Sequence, residues 1–314
     1  MRRKLLVAAQ IVITGAVIWF AGKTILEQWT EARAAGFDQR PHWGLIGFSC
    51  ALVLCAYGVL IEAWRAMVVG WGSQLRYADA ARIWFVSNLG RYVPGKVWQI
   101  TAMAVMAERA GVSRYTAAGS ALLVNLVNLI AGVGVVAVTS AGLLGNAALV
   151  LVASALLLAI LLLTPRLLPL LVRLYERVRG RSVTVPVLSQ RPIWVAALAS
   201  LAAWVLYGIA FKIFSEGVAP ASSGSVGSYI AVFTASYLAG YLFLPAPGGI
   251  GVREGALLGL LGQLQLATGG AGAIIAATSR LWLTVLEVLP GALYLAFGAA
   301  PARFRNSMAH ERTD

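Results

Sequence analysis

Four basic residues of this sequence lie within or beside otherwise apolar stretches, and their chemistry is the most informative feature of the chain. Arg91 and Lys96 flank a Pro-Gly dipeptide at 94–95. Arg253 follows a second run of prolines and glycines, and Arg280 lies in a long apolar run. A charge at the centre of a bilayer costs several kcal/mol, so such residues mark functional sites by default.

The two Pro-Gly breaks predict anion-binding sites. A new helix is expected to begin after each break, at about Lys96 and Val252. The start of a helix offers unpaired backbone N–H groups and a partial positive charge. With Lys96 or Arg253 beside it, such a site suits an anion, most naturally a phosphate.

Two acidic residues accompany these cations. Glu254 follows Arg253 directly, and Glu287 lies seven residues after Arg280, on the same face of a helix. They are expected to keep the basic groups paired when the site is empty, or to take up protons in a coupled cycle. The alternative is that the pairs neutralise one another and only hold the helices together.

The candidate substrate-binding residues share a place near the two breaks or a polar group inside an apolar run: Arg91, Lys96, Trp98, Gln99, Asn125, Asn128, Pro247, Gly248, Gly249, Arg253, Glu254, Arg280 and Glu287. Long basic side chains can instead reach the membrane surface, which is the alternative for Arg91 and Lys96. Hydrogen bonding between helices explains Asn125 and Asn128 equally well.

Catalytic and metal chemistry has little material in this sequence. The only histidines, His42 and His310, are far apart, and Cys50 and Cys55 lie in one apolar run. There is no Asp-Asp pair and no Asp-x-Asp motif. We therefore expect no catalytic residues, no metal and no cofactor.

The composition predicts an all-α, polytopic helical membrane protein. Of 314 residues, 60% are hydrophobic and 12% are charged, whereas soluble domains carry about 25% charged residues. Continuous apolar runs recur, each long enough to cross roughly 30 Å of hydrocarbon. Full-length spans are expected at about 5–22, 43–61, 115–139, 146–163, 193–214 and 270–298.

Two segments are interrupted and predict re-entrant hairpins. Residues 79–91 and 96–108 flank the first break, and residues 226–243 and 252–264 flank the second. Most of these halves are too short to span at about 1.5 Å per residue. Proline interrupts helical hydrogen bonding, and irregular backbone at membrane depth is tolerated only inside protein or beside a wet cavity. Six to eight spanning helices are therefore expected.

The order of elements suggests an internal repeat within one transmembrane domain, 1–314. Residues 43–139 and 192–298 each contain a span, a Pro-Gly hairpin and a second span. Outside them lie a first helix and outer loop (1–42), a connecting helix and basic cytoplasmic segment (140–191) and a cytoplasmic tail (299–314). An odd number of crossings separates the repeats, so they are expected to be inverted, as in many secondary transporters.

The basic residues predict orientation and partners. The formal net charge is +13. The segments expected on the inner side of the membrane hold 17 of the 25 basic residues; they are 1–4, 62–82, 109–114, 165–191 and 301–314. This bias places both termini in the cytoplasm. The basic segment 165–191 is expected to contact anionic lipids of the inner leaflet, or to be a plain solvated loop. No nucleic-acid partner is expected, and a homodimer stays open.

The two breaks carry a resemblance to a known family. The second reads LPAPGGIGVRE over 244–254 and is followed by Arg280, and the first reads NLGRYVPGK over 88–96. They resemble the transmembrane flippase domain of bacterial lysylphosphatidylglycerol synthases and its stand-alone relatives. The resemblance implies movement of an anionic or aminoacylated phospholipid, or of a polyprenyl-phosphate-linked lipid, between leaflets of the cytoplasmic membrane. It carries over the Pro-Gly breaks, Glu254 and Arg280.

The sequence departs from that family in the first repeat. Many relatives have Gly-Glu and then Arg after the Pro-Gly, where this chain has Trp98, Gln99 and Thr101. They also tend to carry an Arg and an Asp at the positions of Asn125 and Asn128. These departures bear on the substrate more than on the fold.

Three functions remain as hypotheses from the sequence. The first is a lipid or lipid-phosphate translocase. The alternatives are a membrane-embedded polyprenyl-phosphate transferase and an accessory subunit of a cell-envelope glycosyltransferase complex. The soluble aminoacyl-transfer domain of full synthases is not found in the sequence, so a transporter rather than an enzyme is expected.

Overall fold

The described part of the chain is helical. A computed structural model describes residues 40–92, 97–140, 190–219, 224–243, 249, 251–267 and 270–297, with residues 152, 155, 156, 159 and 163. The eight α-helices within these ranges are α1 (Trp43–Gly70), α2 (Tyr77–Asn88), α3 (Val97–Arg109), α4 (Arg114–Thr139), α5 (Gln190–Val218), α6 (Val226–Leu242), α7 (Val252–Gln263) and α8 (Gly270–Phe297). No strand occurs among these residues, which confirms the all-α prediction.

Four of these helices are long and apolar enough to cross a membrane. They are α1, α4, α5 and α8, with 28, 26, 29 and 28 residues, or roughly 40 Å each. The chain is therefore a multi-pass membrane protein, as predicted. Of the other predicted spans, 5–22 lies outside the described residues, and the five described positions within 146–163 are helical.

The boundary predicted at residue 61 is wrong, since α1 continues to Gly70. The predicted span ended just before Glu62, so Glu62 and Arg65 were placed outside it. In the structure the Nε atom of Arg65 lies 2.6 Å from Oε2 of Glu62, and both side chains are partly exposed. Residues three apart lie on one helix face, so the two charges pair without ending the helix.

The helices beside each break are too short to span alone. The first hairpin consists of α2, a 3₁₀ turn at Leu89–Tyr92 and α3, with 12 and 13 residues in its helices. The second pairs α6, with 17 residues, with α7, with 12. Twelve residues extend only about 18 Å. The intervening residues 93–96, 244–248 and 250 lie outside the described part of the chain.

Glycines allow the two arms of each hairpin to approach closely. A Cβ atom added to Gly90 would lie 2.9 Å from the backbone nitrogen of Gln99, across the first hairpin. In the second, Gly249 has a φ angle of +69°, and its Cβ would lie 2.6 Å from the carbonyl oxygen of Gly240. Only glycine satisfies both the torsion and the contact at position 249.

The helices of the two predicted repeats pack reciprocally. The first spans, α1 and α5, share the most extensive contact in the described chain. The last span of each repeat also packs on the first hairpin arm of the other, α4 on α6 and α8 on α2. Two units related by a twofold axis would pack in this way. The inversion, the domain limits and the total number of spans stay predictions.

Aromatic residues occupy the interior as well as the surface. Trp64 lies close to the predicted end of the span 43–61, but its side chain is 2% exposed. Its Nε1 atom donates a hydrogen bond to Oγ of Ser120 at 3.1 Å, so helix packing uses this indole. Aliphatic side chains such as Leu122, Leu126 and Leu198 are exposed instead, as a lipid-facing surface requires.

The contact between α5 and α6 yields a test of the packing. A Cβ at Gly208 would lie 2.4 Å from Cγ1 and 2.5 Å from Cα of Ile230. We expect Gly208→Ala to destabilise the protein by about 1–3 kcal/mol, the usual cost of overpacking, seen as a lower Tm in detergent.

Gly134→Ala is the matched control, because nothing lies within 4 Å of a Cβ at that position of α4. Its Tm should equal or slightly exceed that of the parent, since alanine favours helix. Equal melting temperatures for the two variants would contradict the packing described.

Candidate functional site

Both hairpins, α4 and α8 enclose a polar cavity of about 150 Å³, which we call the arginine chamber. Its walls combine charged, amide and aromatic side chains with two glycines: Arg91, Gln99, Ile100, Asn125, Tyr237, Gly240, Tyr241, Gly249, Arg253, Arg280, Leu283, Thr284 and Glu287. Seven of the thirteen predicted binding residues are therefore brought together here.

Arg253 is the most deeply buried cation of the chamber. It is the second residue of α7 and is only 5% exposed. Its guanidinium carbon lies 5.5 Å from the ring centroid of Phe233 and 5.3 Å from that of Tyr237. Its Nε and Nη2 atoms have no hydrogen-bond partner among the described residues. Burial of a charge without a hydrogen-bonded partner is costly, so an anion in the chamber would stabilise this side chain.

Glu254 joins the start of α7 to α8. Its Oε2 atom accepts a hydrogen bond from the backbone N–H of Gly251 at 2.8 Å, closing the first turn as a capping residue does. Its Oε1 atom accepts a bond from Nη1 of Arg280 at 3.3 Å. With both oxygens engaged, Glu254 leaves Arg253 next to it without a carboxylate partner.

The second ion pair joins the first hairpin to α8. Nη1 of Arg91 lies 2.6 Å from Oε1 of Glu287 and 3.4 Å from the hydroxyl of Tyr237. The hydroxyl of Tyr57 donates to the same Glu287 oxygen at 3.5 Å, the far end of the hydrogen-bond range. Glu287 is 6% exposed, so this carboxylate is held among protein groups.

The structure shows which of these charges pair. Arg280 and Glu287 share a helix, and mutual neutralisation of such charges, which holds helices together, is the alternative to a functional site. Residues seven apart are about 10 Å apart along a helix, and each instead pairs with a residue of a different hairpin. α8 therefore carries one ionic contact to each hairpin.

The predicted amide residues occupy different parts of the site. Gln99 lines the arginine chamber, and its Nε2 atom donates to Oδ1 of Asn88 at 2.5 Å. Asn125 also lines the chamber, with Nδ2 donating to the Ala121 carbonyl at 2.9 Å. Asn128 lines a neighbouring cavity.

Trp98 was predicted to face the pocket, but its side chain is 53% exposed and lines neither cavity. Successive residues of an α-helix point about 100° apart, so when Gln99 and Met103 face inward, Trp98 faces outward. The predicted residues Lys96, Pro247 and Gly248 lie outside the described part of the chain.

The neighbouring cavity, of about 90 Å³, has seven aromatic side chains among its seventeen lining residues, and we call it the aromatic chamber. It shares Arg91, Tyr237 and Glu287 with the arginine chamber. Most of these aromatic side chains were not predicted as binding residues from the sequence, because aromatic residues are common in membrane spans. The only signal was the position of several of them in the middle of a span rather than at its ends.

The chambers hold more positive than negative charge. Three guanidinium groups line the arginine chamber, and two carboxylates are paired with two of them. Among the described residues, no group of three or more histidine, cysteine or acidic side chains lies close together. Within this part of the chain, the geometry favours an anionic ligand held by arginine.

Comparison with the sequence models of protein families gives a match. The sequence model of a family described as the lysylphosphatidylglycerol synthase TM region matches residues 7–290. The matched range contains both hairpins and every residue named above as lining the two chambers. A comparison with curated proteins found no match. The family match confirms the resemblance drawn from the two Pro-Gly motifs.

The Arg91–Glu287 pair generates a stability prediction. Glu287→Leu removes a buried carboxylate and leaves Arg91 without this partner, which can cost up to about 3 kcal/mol. We expect Arg91→Met combined with Glu287→Leu to recover much of that loss, measured as Tm in detergent in a double-mutant cycle.

The control cycle uses Glu62 and Arg65, which pair at the same 2.6 Å distance but are more exposed. Its coupling energy should stay below about 1 kcal/mol. Equal coupling energies in the two cycles would show that the buried Arg91–Glu287 pair is no stronger than the exposed Glu62–Arg65 pair.

Proposed function

The chain belongs to the lysylphosphatidylglycerol synthase TM-region family, and from that membership we propose that it moves a phosphate-bearing lipid between the leaflets of the membrane. The transported lipid is an anionic or aminoacylated phospholipid or a polyprenyl-phosphate-linked lipid. Its phosphate binds in the arginine chamber while its acyl chains remain in the bilayer.

The unpartnered edge of Arg253 is the observation that carries this proposal. Nε and Nη2 lie on one edge of a guanidinium group, and both lack a hydrogen-bond partner among the described residues. Two parallel N–H donors on one edge match two oxygens of a phosphate. The start of α7 supports the same assignment, since helix N-termini favour anions.

The other two arginines would complete the phosphate site by exchanging partners. Arg91 and Arg280 line the same chamber, each beside a carboxylate. An incoming phosphate competes with these carboxylates for the same N–H groups. Binding is thereby linked to contacts between each hairpin and α8, which is how a ligand can favour one arrangement of helices over another.

The proposal includes a location and an orientation. We place the protein in the cytoplasmic membrane with both termini on the cytoplasmic side, because the basic residues concentrate in the segments assigned there. Segment 165–191 would contact anionic head groups of the inner leaflet. In this proposal the protein acts as a transporter rather than as an enzyme.

Reconstitution in liposomes tests the proposed function. Fluorescent phosphatidylglycerol, phosphatidylethanolamine and a polyprenyl phosphate are each incorporated, and the fraction accessible to dithionite is followed over time. We expect Arg253→Met to lower the transport rate at least tenfold, because a bidentate charged contact is lost. Arg253→Lys should retain part of the rate, and Arg280→Ala and Glu254→Gln should also be slow.

Arg65→Met is the control, since Arg65 pairs with Glu62 and lines neither chamber. Transport by Arg253→Met at the parental rate would refute the assignment of Arg253 to the phosphate. New lipid products formed by the purified protein would favour the transferase hypothesis, and mass spectrometry of co-purified lipid would identify the substrate.

A further inference from the structure

Glu287 is the one acidic side chain that lines either chamber within the described part of the chain. It belongs to α8, is 6% exposed and lines both cavities. Glu254, the other carboxylate of the site, bonds to Gly251 and Arg280 and lines neither cavity. An anion in the arginine chamber therefore shares its space with the carboxylate of Glu287.

The negative charge of Glu287 is balanced by a cation of the first hairpin. Nη1 of Arg91 lies 2.6 Å from Oε1 of Glu287, and the hydroxyl of Tyr57 donates to the same oxygen at 3.5 Å. This arrangement suits the ionised form of the carboxylate. Arg91 and Tyr57 make these contacts through their side chains, which can turn away without opening a helix.

Arg91 and Arg253 both contact Tyr237, so the two cations are close to one another. Nη1 of Arg91 lies 3.4 Å from the Tyr237 hydroxyl, and the guanidinium carbon of Arg253 lies 5.3 Å from the centroid of the same ring. Both arginines line the arginine chamber, whose volume is about 150 Å³. A phosphate on the unpartnered edge of Arg253 is therefore near Arg91 as well, and it competes with Glu287 for the N–H groups of Arg91.

A phosphate in this place upsets the balance of charge around Glu287. If Arg91 turns to the phosphate, Glu287 remains buried and loses its cation. If Arg91 stays, two negative groups share one small cavity. Either outcome destabilises the ionised carboxylate, because a buried charge needs a partner and like charges in one site do not both stay ionised. A proton on Glu287 removes the conflict and makes the carboxyl group a neutral hydrogen-bond donor.

We propose that Glu287 is a proton-binding site and that each lipid phosphate is bound and carried together with a proton. This inference rests on the proposed function and adds the co-transported ion to it. The proton comes from water and bonds to a carboxylate oxygen of Glu287, while the phosphate accepts from Arg91. It returns to water when the phosphate leaves. One negative and one positive charge enter together, so the total charge of the site does not change.

The other titratable and charged groups around Glu287 already hold their protons. Within the described residues, those that line a cavity with Glu287 are Tyr57 of α1, Arg91 of the first hairpin, Tyr207 of α5, Tyr237 and Tyr241 of α6, Arg253 of α7 and Arg280 of α8. Arginine and tyrosine are protonated at neutral pH. The described lining residues of α2, α3 and α4 carry no titratable group. Among these groups, Glu287 is therefore the one that can accept a proton.

Coupled binding determines the direction of transport in a pH gradient. A protein that carries a lipid phosphate together with a proton moves the lipid from the acidic side of the membrane to the alkaline side. Where the cytoplasmic side is the more alkaline one, the movement is toward the cytoplasmic leaflet. Because the two charges cancel, a membrane potential alone does not drive this movement.

Calorimetric binding of dihexanoyl phosphatidylglycerol to the purified protein in a non-ionic detergent tests the inference. The phosphodiester of this lipid keeps one negative charge from mildly acidic to neutral pH, so the lipid itself takes up no proton. Titrations in two buffers with different ionisation enthalpies give the number of protons taken up per lipid. We expect uptake of a proton, and an affinity that rises by up to about tenfold for each unit by which the pH falls.

Three variants assign the proton to one carboxylate. Glutamine cannot ionise, so Glu287→Gln should bind without proton uptake, and its affinity should change by less than about twofold per pH unit. At neutral pH it should bind as tightly as the parent protein does in acid, a gain that a purely structural role would not produce. Glu254→Gln, and Glu62→Gln outside both chambers, should take up the same number of protons as the parent.

Liposomes with an imposed pH gradient test the coupling to transport. Fluorescent phosphatidylglycerol should collect in the leaflet on the alkaline side, as measured by accessibility to dithionite, and reversal of the gradient should reverse the distribution. A membrane potential without a pH gradient should leave the distribution unchanged. These measurements on the parent protein decide the question even if Glu287→Gln fails to fold.

The possible failures are distinguishable. Binding of phosphatidylglycerol to the parent without proton uptake, or a distribution that ignores the pH gradient, would overturn this inference and leave the phosphate site standing. Proton uptake that persists in Glu287→Gln would also overturn it, because another group would then hold the proton. No binding of any lipid, with no transport in liposomes, would remove the proposed function itself.

Discussion

A buried guanidinium with no carboxylate partner among the described residues is the constraint that organises this structure. Arg253 is 5% exposed, and its guanidinium lies against two aromatic rings. A charge in such a place is tolerated where a polar chamber adjoins it and costs free energy where none does. The hairpin glycines, the helix start at Val252 and the position of Glu254 all keep that chamber next to the charge. A carboxylate bonded to Arg253 would have closed it.

The two carboxylates near the chambers have different surroundings. Glu254 bonds to the backbone at Gly251 and to Arg280, so losing it would loosen the first turn of α7 as well as an ion pair. The side chains of Arg91 and Tyr57 contact Glu287, at 2.6 Å and 3.5 Å. Side-chain contacts can be exchanged without unwinding a helix. Glu287 can therefore change its contacts without disturbing a helix, whereas a change at Glu254 also affects the first turn of α7.

The sequence revealed the charged part of the site because charges in apolar runs are rare. Arg91, Arg253, Arg280 and Glu287 were all identified in this way, and all line the arginine chamber. Their pairing was not predictable, since Arg91 and Glu287 are 196 residues apart in the chain. Helical periodicity describes which residues share a face, but it does not tell which other helix that face meets.

The aromatic chamber and the end of α1 were missed for a related reason. The hydropathy of residues such as Tyr57 and Tyr207 is compatible with a protein core, a lipid-facing surface and a ligand site. Composition therefore cannot assign these residues to one of the three environments. Conversely, the predicted span ended before Glu62 and Arg65. Two charged residues lower the mean hydropathy of a segment, although in α1 these two form one neutral ion pair. The arms of the hairpins were predictable because proline interrupts a helix and glycine permits the turn between two helices.

Helix α8 forms one ion pair with each of the two hairpins. Arg280 ties it to the second hairpin and Glu287 ties it to the first. It also packs closely on the first hairpin, where a Cβ at Gly291 would lie 2.8 Å from the carbonyl oxygen of Phe85. A ligand that replaces the Arg91–Glu287 contact acts on one of these ties and leaves the other intact. In the proposed transport cycle, the two hairpins would then respond differently to one head group.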